Sequence, residues 1–477
     1  MQSHRSGARV NQETGIAAVF DFGALVAPAG RASTASGLLR RRGSLETVLR
    51  DGLRGAPTDG SHRRFLQRVS RTLAGRPAAE VAAAGEHLFR GGGYGHLYPE
   101  AWQLVRTHAT QGHTVILTTS LTRAQVAPYA AALGIETVLC TELAEEDGIL
   151  TGYVAGKTPW RTGKSEAVRA HAERGGLDLS RSYAYSASAT DLPLLAEVGH
   201  PGVVNPDPTL SAHAAEQQWP VLRFAPRRAP TAADAARTVL GLFGLLAGSL
   251  FGVLRTAHTR DRRRMADALM VHGTRWALTL LGVRVRISDA TKALSPRPAV
   301  FLFNHQSQFD VIVVPHVLVG GVTGIGKKEL TRNPIFGPLL RFVGVTFIDR
   351  SDTARAKAAL EPVAATLRGG LSLAVAPEGT RSYTPEPGPF KKGAFHIAIQ
   401  AGVPIIPVVI RNAGEIARRN SMIARPGTVD VAILDPIDVG DWDPNDLDAR
   451  VAAVRELFVA TLLDWPKPRD PAAASTA

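Results

Sequence analysis

The chain has 477 residues, more than one hydrophobic core usually serves, so two domains with connecting material are expected. Its hydrophobic and charged fractions, 45% and 20%, exclude an intrinsically disordered chain. The lone Cys140 excludes an internal disulfide and suits a reducing compartment, while the net charge of +13 points to an anionic partner.

Residues 1–14 are polar, carry no secretory signal and read as a flexible tail. Residues 16–20 form a first apolar run, and 37–90, rich in Arg, Leu and Ala, read as a helical insertion or cap. Apolar runs at 114–117, 137–139 and 183–185 alternate with helical stretches near 122–133 and 164–173. Such alternation implies a parallel sheet flanked by helices, and this first α/β domain is bounded at 15–207. Prolines and polar residues without periodicity make 208–237 a linker.

Residues 238–254 are almost wholly apolar but short for a bilayer span. Gly244, Gly248 and Gly252 lay a smooth stripe along one helical face, suited to close helix packing. The segment fits either a buried core helix or a membrane element. Arg227, Arg228 and Arg237 precede it, and Arg255, Arg260, Arg262, Arg263 and Arg264 follow it. Basic flanks on both sides are expected when both ends stay on one face of a membrane. With the second apolar stretch, 266–285, the expectation is a helical hairpin over 238–286, lying in the membrane interface and touching anionic lipid.

Beyond residue 298 the alternation resumes. Strands are expected at 299–303, 322–325, 344–348, 371–375, 403–410 and 429–434, with helices near 333–342, 353–368 and 393–401. A terminal helix over 444–463, with Asp443 as N-cap and Pro444 at its first position, completes a second α/β domain over 287–466. Residues 467–477 read as a second flexible tail.

Directly after the strand at 299–303 stands Asn-His-Gln-Ser-Gln-Phe-Asp, residues 304–310. Moving an acyl group onto an alcohol needs a base for the hydroxyl proton, and histidine titrates near working pH. A carboxylate close by fixes the tautomer and stabilises the imidazolium, so His305 and Asp310 form a candidate base and orienter. Three further boxes follow in order: Gly344 to Arg350, Pro377-Glu378-Gly379-Thr380-Arg381-Ser382, and the Val-Pro-Ile-Ile-Pro-Val-Val-Ile of 403–410.

Over residues 285–436 these four boxes resemble the glycerolipid acyltransferases, specifically the bacterial 1-acylglycerol-3-phosphate acyltransferases. The resemblance implies transfer of an acyl chain from acyl-CoA or acyl-carrier protein to lysophosphatidate, giving phosphatidate at the cytoplasmic face of the cell membrane. It implies direct attack on the thioester, with no covalent acyl-enzyme, no cofactor and no metal. Relatives with the same boxes acylate other lysophospholipids or glycolipid acceptors, which is the alternative. The expected substrate-binding set is Asn304, Arg350, Glu378, Gly379, Thr380, Arg381, Lys327 and Lys328. Arg350 and Arg381 each offer a planar fork of donors to phosphate, and Gly379 allows close backbone approach. Glu378 either shapes the acceptor pocket or merely orders Arg381. Lys327 and Lys328 serve the acceptor phosphate or form a solvated pair, and Lys391 and Lys392 serve the donor's phosphates or do likewise. No zinc-knuckle, arginine-rich tail or ribonucleoprotein-type motif points to nucleic acid.

Phe20-Asp21-Phe22-Gly23-Ala24-Leu25-Val26 resembles the first box of the haloacid dehalogenase-like phosphatases, in the phosphoserine-phosphatase branch. That family uses two acids separated by one residue, and here the second is missing. Thr119 matches the phosphate-binding hydroxyl, Lys164 the lysine box, and Asp191 the acidic loop. The position of that loop's magnesium-binding aspartate is Ala187. A phosphatase fold that has lost its chemistry is therefore expected over residues 16–207. Asp21, Thr119, Lys164 and Asp191 remain as a vestigial phosphate site or as a structural relic. An active phosphomonoesterase fused to the acyltransferase is the alternative.

Overall fold

A computed structural model describes residues 15–28, 45, 49, 59–327, 331–334, 336–348 and 360–466. The chain divides into two compact units, Met1–Arg227 and Arg228–Ala477.

The first unit runs β1 (Ala17–Asp21), α1 (Asp59–Leu73), α2 (Ala78–Arg90), α3 (Pro99–Thr110), β2 (Thr114–Thr122), α4 (Arg123–Leu133), β3 (Thr137–Glu146) and β4 (Ile149–Ala155). It continues with α5 (Thr162–Gly175), β5 (Tyr183–Ser186), β6 (His200–Val204), α6 (Pro208–Glu216) and β7 (Val221–Leu222). The strands form one sheet in the order β4-β3-β2-β1-β5-β6-β7, parallel except for the β3–β4 pair. β1 is buried along its whole length, as its unbroken apolar run requires of a central parallel strand. Helices α1 and α2 lie within the expected insertion and pack Val69, Leu73 and Val81 into a small core of their own with Leu49 and Leu150.

Two expectations are corrected here. Residues 208–222 are not linker: Asp207 accepts the Leu210 N–H at 2.8 Å, Pro208 starts α6, and β7 then closes the sheet edge. The strand expected at 137–139 is much longer and turns back through Asp147 and Gly148, both at positive φ, into β4.

The second unit opens with α7 (Ala232–Thr256) and α8 (Arg262–Leu281), followed by β8 (Val283–Ser288), β9 (Val300–Phe303), α9 (Asp310–Leu318), β10 (Val322–Lys327), α10 (Phe336–Phe342) and β11 (Thr346–Ile348). Then come α11 (Leu360–Arg368), β12 (Ser372–Val375), α12 (Gly393–Ala401), β13 (Ile405–Arg411), β14 (Gly427–Ile433) and α13 (Leu447–Leu463). Its sheet has the order β11-β10-β12-β9-β13-β14-β8, with β13–β14 the antiparallel pair.

The glycine stripe does what its spacing predicts. α7 and α8 pair as an antiparallel hairpin, and a Cβ at Gly248 or Gly252 would lie 2.5 Å from the His272 carbonyl oxygen or 2.3 Å from that of Ala268. The opposite face of α7 is bare: Val239, Phe243, Leu250 and Leu254 are exposed. Among the described residues, the segment Ala232–Thr259 is the one helix long and apolar enough to cross a membrane. Not all of the flanking arginines are free for lipid. Arg262 donates to the Arg341 carbonyl and Arg263 to that of Gly370, while Arg228 and Arg237 pair with the buried Asp234.

The hairpin ends sooner than expected, because residues 283–288 form β8 and pair with β14. The last helix begins at Leu447 with Asp446 as N-cap. Asp443 instead accepts the Asn445 N–H at 2.8 Å in a turn that holds Pro444 outside the helix.

Candidate active site

β9 lies between β12 and β13 and runs parallel to both. Three neighbouring parallel strands therefore deliver their following loops to one edge of the sheet, the carboxyl edge where α/β folds place chemistry. The loops are residues 304–309, 376–392 and 412–426.

In the first, His305 Nδ1 lies 2.7 Å from Asp310 Oδ2. The same oxygen accepts the backbone N–H groups of Gln306 and Ser307, each at 3.0 Å. An ionised carboxylate only accepts, so Nδ1 carries the proton and Nε2 keeps its lone pair. The His305 side chain is 25% exposed and that of Asp310 1%, leaving the base reachable and its partner sealed. Asn304, expected among the substrate ligands, spends its amide on β13: Nδ2 donates to the Ile410 carbonyl at 2.9 Å and Oδ1 accepts the Ile410 N–H at 2.7 Å. Ser307 Oγ donates to the Ala417 carbonyl at 2.7 Å, tying this loop to the third one.

The Glu378 to Ser382 box clasps the His305 backbone from both sides. Glu378 Oε1 accepts the His305 N–H at 2.7 Å, and Ser382 N–H donates to the His305 carbonyl at 3.0 Å. Glu378 Oε2 accepts the Gly388 N–H, also at 2.7 Å. Burial pushes the Glu378 carboxyl up to about 7, opposed by those two backbone donors. Neither role expected for Glu378 is what these contacts show. It is a clamp on the loop that carries His305, and a carboxylate bound to distant backbone leaves no pattern in a sequence.

Gly379 stands at φ +71°, and a Cβ there would come within 3.1 Å of Lys391 Cε and Nζ. Lys391 thus lays its side chain across this box, whereas Lys392 turns away to Asp448 at 2.8 Å. Thr380 Oγ1 accepts from Arg419 Nη2 at 3.2 Å, and Arg381 Nη1 donates to the Arg419 carbonyl. The Arg419 guanidinium carbon lies over the Tyr383 ring, 3.8 Å from its centroid. Arg419 was not among the residues expected here; its only signal is a pair of adjacent arginines in the irregular stretch after the fourth box. Arg350 and Lys328 lie outside the described residues, and of Lys327 only its place at the end of β10 is described.

The first unit holds a second constellation, at the carboxyl end of β1. Lys164 Nζ lies 2.5 Å from Asp21 Oδ1 and 2.7 Å from Asp191 Oδ1. Asp191 Oδ2 accepts from Ser186 Oγ at 2.6 Å, and Asp21 Oδ2 accepts the Gly23 N–H at 2.8 Å. Thr119 follows the β2 residue that pairs with Asp21, which brings it to the same edge. Burial pulls the Lys164 ammonium down, but the two carboxylates outweigh it and hold it above the ordinary lysine range. Burial raises the Asp21 carboxyl against the pull of Lys164. The magnesium that the resemblance implies does not fit these residues. Ala187 places a methyl beside Gly23 where a ligand is needed, both carboxylates are turned to Lys164, and a helical turn starts at Phe22 with no second acid.

Residues 284–411 match the acyltransferase family model and residues 19–196 the haloacid dehalogenase-like hydrolase model. A 1-acyl-sn-glycerol-3-phosphate acyltransferase of Salmonella typhimurium is 34% identical over 189 residues, covering 39% of this chain and 76% of that protein. One of Cocos nucifera is 34% identical over 195 residues, covering 41% of this chain and 63% of that protein, so the chain spans less than two thirds of this relative's length. Among solved structures, the 1-acyl-sn-glycerophosphate acyltransferase of Thermotoga maritima shares 24% identity at a TM-score of 0.41, over 48% of this chain and 97% of that one.

Proposed function

This chain belongs to the 1-acyl-sn-glycerol-3-phosphate acyltransferase family, and from that premise we propose that it acylates lysophosphatidate to phosphatidate. The observation that carries the reading is the 2.7 Å contact of His305 Nδ1 with the sealed Asp310, which leaves Nε2 as a reachable base. In this reaction Nε2 takes the proton of the acceptor's free hydroxyl as that oxygen attacks the thioester carbonyl. Asp310 stabilises the imidazolium that forms. The C–S bond of the tetrahedral adduct then breaks, and the sulfur leaves with the proton from His305. Acyl-CoA or acyl-carrier protein is the donor, no side chain is acylated, and no cofactor or metal takes part. Asp310 and the backbone clamp of Glu378 hold His305 in place, so little reorganisation is needed at the moment of reaction.

The acceptor is a lipid, and the bare apolar face of α7 supports seating of the α7–α8 hairpin in the cytoplasmic leaflet, beside anionic headgroups. For the first unit the reading is a phosphatase fold without turnover, supported by Ala187 and by the closure of both carboxylates on Lys164.

Acyl transfer from acyl-CoA to a panel of lysolipids, wild type against His305→Ala, tests the reading. Loss of transfer to lysophosphatidate in the variant is expected. Equal activity in the two defeats the mechanism, and wild-type transfer only to another lysophospholipid or a glycolipid defeats the choice of acceptor.

A further inference from the structure

We propose that Arg419, together with Lys391, forms the subsite that takes the acceptor's phosphate monoester and so sets headgroup specificity. The inference rests on the acyltransferase reading above and adds residues outside the four boxes.

Arg419 comes from the loop after β13 yet reaches the box after β12, where Nη2 donates to Thr380 Oγ1 at 3.2 Å. Tyr383 supports one face of its guanidinium at 3.8 Å, and Arg381 holds its backbone carbonyl. A guanidinium fixed through one face and one nitrogen is preorganised to offer its other N–H donors to an anion. Among the described residues, the contact with Thr380 is its only side-chain hydrogen bond. Lys391 adds a second cation to the same box, because its Nζ lies against Gly379, and its ammonium makes no hydrogen bond or ion pair among the described residues. The carboxylate of the same box, Glu378, is turned to backbone N–H groups, and Glu386 pairs with Arg455. Two cations brought to one box repel each other unless an anion joins them.

The chemistry of the acceptor selects the ligand. In lysophosphatidate the phosphate and the reacting hydroxyl sit on adjacent carbons, so the phosphate must bind close to the base. Thr380 satisfies this, two residues from the Ser382 N–H that bonds the His305 carbonyl. The other phosphate monoester available, on the ribose of acyl-CoA, is separated from its thioester by the long pantetheine arm and does not suit a subsite beside His305.

Steady-state kinetics of the full chain with Arg419→Gln and Arg419→Lys test the proposal, with lysophosphatidate and acyl-CoA each varied in turn. For Arg419→Gln the KM for lysophosphatidate should rise about tenfold or more, the scale of one charge-assisted hydrogen bond. The fall in kcat should be smaller, and the KM for acyl-CoA should not move. Arg419→Lys, which keeps the charge and loses the fork, should fall between Gln and wild type. A rise in the acyl-CoA KM alone would assign the subsite to the donor and overturn the proposal. So would equal rises in both, the mark of a loop that merely holds the fold. Wild type inactive on lysophosphatidate but active on an uncharged acceptor would instead defeat the reading on which this rests.

Discussion

Asp21 and His305 stand at equivalent places in two different sheets, at the carboxyl end of a central parallel strand. Around Asp21 the polar groups close on one another: Lys164 is buried between two carboxylates, and each carboxylate has a second donor. Around His305 one nitrogen is held and the other is left reachable. A buried ammonium whose charge is already matched has nothing to offer a reacting atom, whereas a base held through one nitrogen has everything but its substrate. Sheet position alone therefore does not make a catalytic site. What separates the two is whether a charged or basic atom remains uncommitted once the fold is complete.

The largest effect expected from breaking this contrast is at the open site. His305→Ala should lower the rate of acyl transfer by about three orders of magnitude, the middle of the range for loss of a general base. The melting temperature should fall only modestly, since the side chain is partly exposed and the sealed Asp310 keeps two backbone donors when it loses His305. At the closed site the expectation reverses. Lys164→Ala leaves Asp21 and Asp191 buried without their shared counter-ion and should destabilise the first unit by about 3 kcal/mol. On the reading proposed above, it should change no phosphomonoester turnover. Magnesium-dependent hydrolysis of small phosphomonoesters by the wild-type chain, abolished by Asp21→Asn, would show that the closed site works and erase the distinction.

What was legible in the sequence was what lies close together along it. His305 and Asp310 meet within a single turn, but their spacing alone is a weak signal, and the pair is legible because the later boxes accompany it in order. The glycine stripe of α7 could be read because helical periodicity puts 244, 248 and 252 on one face. The strand–helix alternation carries both sheets, but strands defined by pairing with a distant partner, such as β7 and β8, leave no such pattern. Prolines from 206 onward suggest a linker, yet Asp207 and Pro208 are an N-cap and a first helical residue. Glu378 and Arg419 were obscure for a different reason. Their roles depend on backbone atoms and loops brought together by the β12-β9-β13 neighbourhood, and no local pattern records that.

Glu378 offers a sharper version of the contrast, since it is a buried acid inside the open site. Its carboxyl titrates at about 7 in the folded chain against an ordinary 4.5. Between these values the native state binds more protons than the unfolded chain, so stability falls as pH rises through the window. Glu378→Gln removes that titration. The stability gap between wild type and variant should narrow by on the order of 2 kcal/mol from about pH 5 to about pH 8, followed by denaturant unfolding at each pH. A gap constant across the range would mean that the two backbone N–H groups hold the carboxylate charged throughout.

The smallest effect is expected at Lys392, where the contrast between committed and uncommitted cations is drawn within one dipeptide. Its ammonium pairs with Asp448 on the surface, and both side chains are well exposed, 44% and 85%. Such a pair is worth under about 1 kcal/mol, and salt screens it further. Lys392→Ala should therefore shift the melting temperature by no more than a degree or two and leave the KM values for both substrates unchanged. Lys391→Ala, by contrast, should raise the KM for lysophosphatidate, because its ammonium lies against Gly379 in the box that clasps His305. If Lys392→Ala raised the KM for acyl-CoA instead, the donor's phosphates would have to displace Asp448. A cation already paired in the resting chain would then be a binding group after all, and commitment to a partner would no longer distinguish structure from function here.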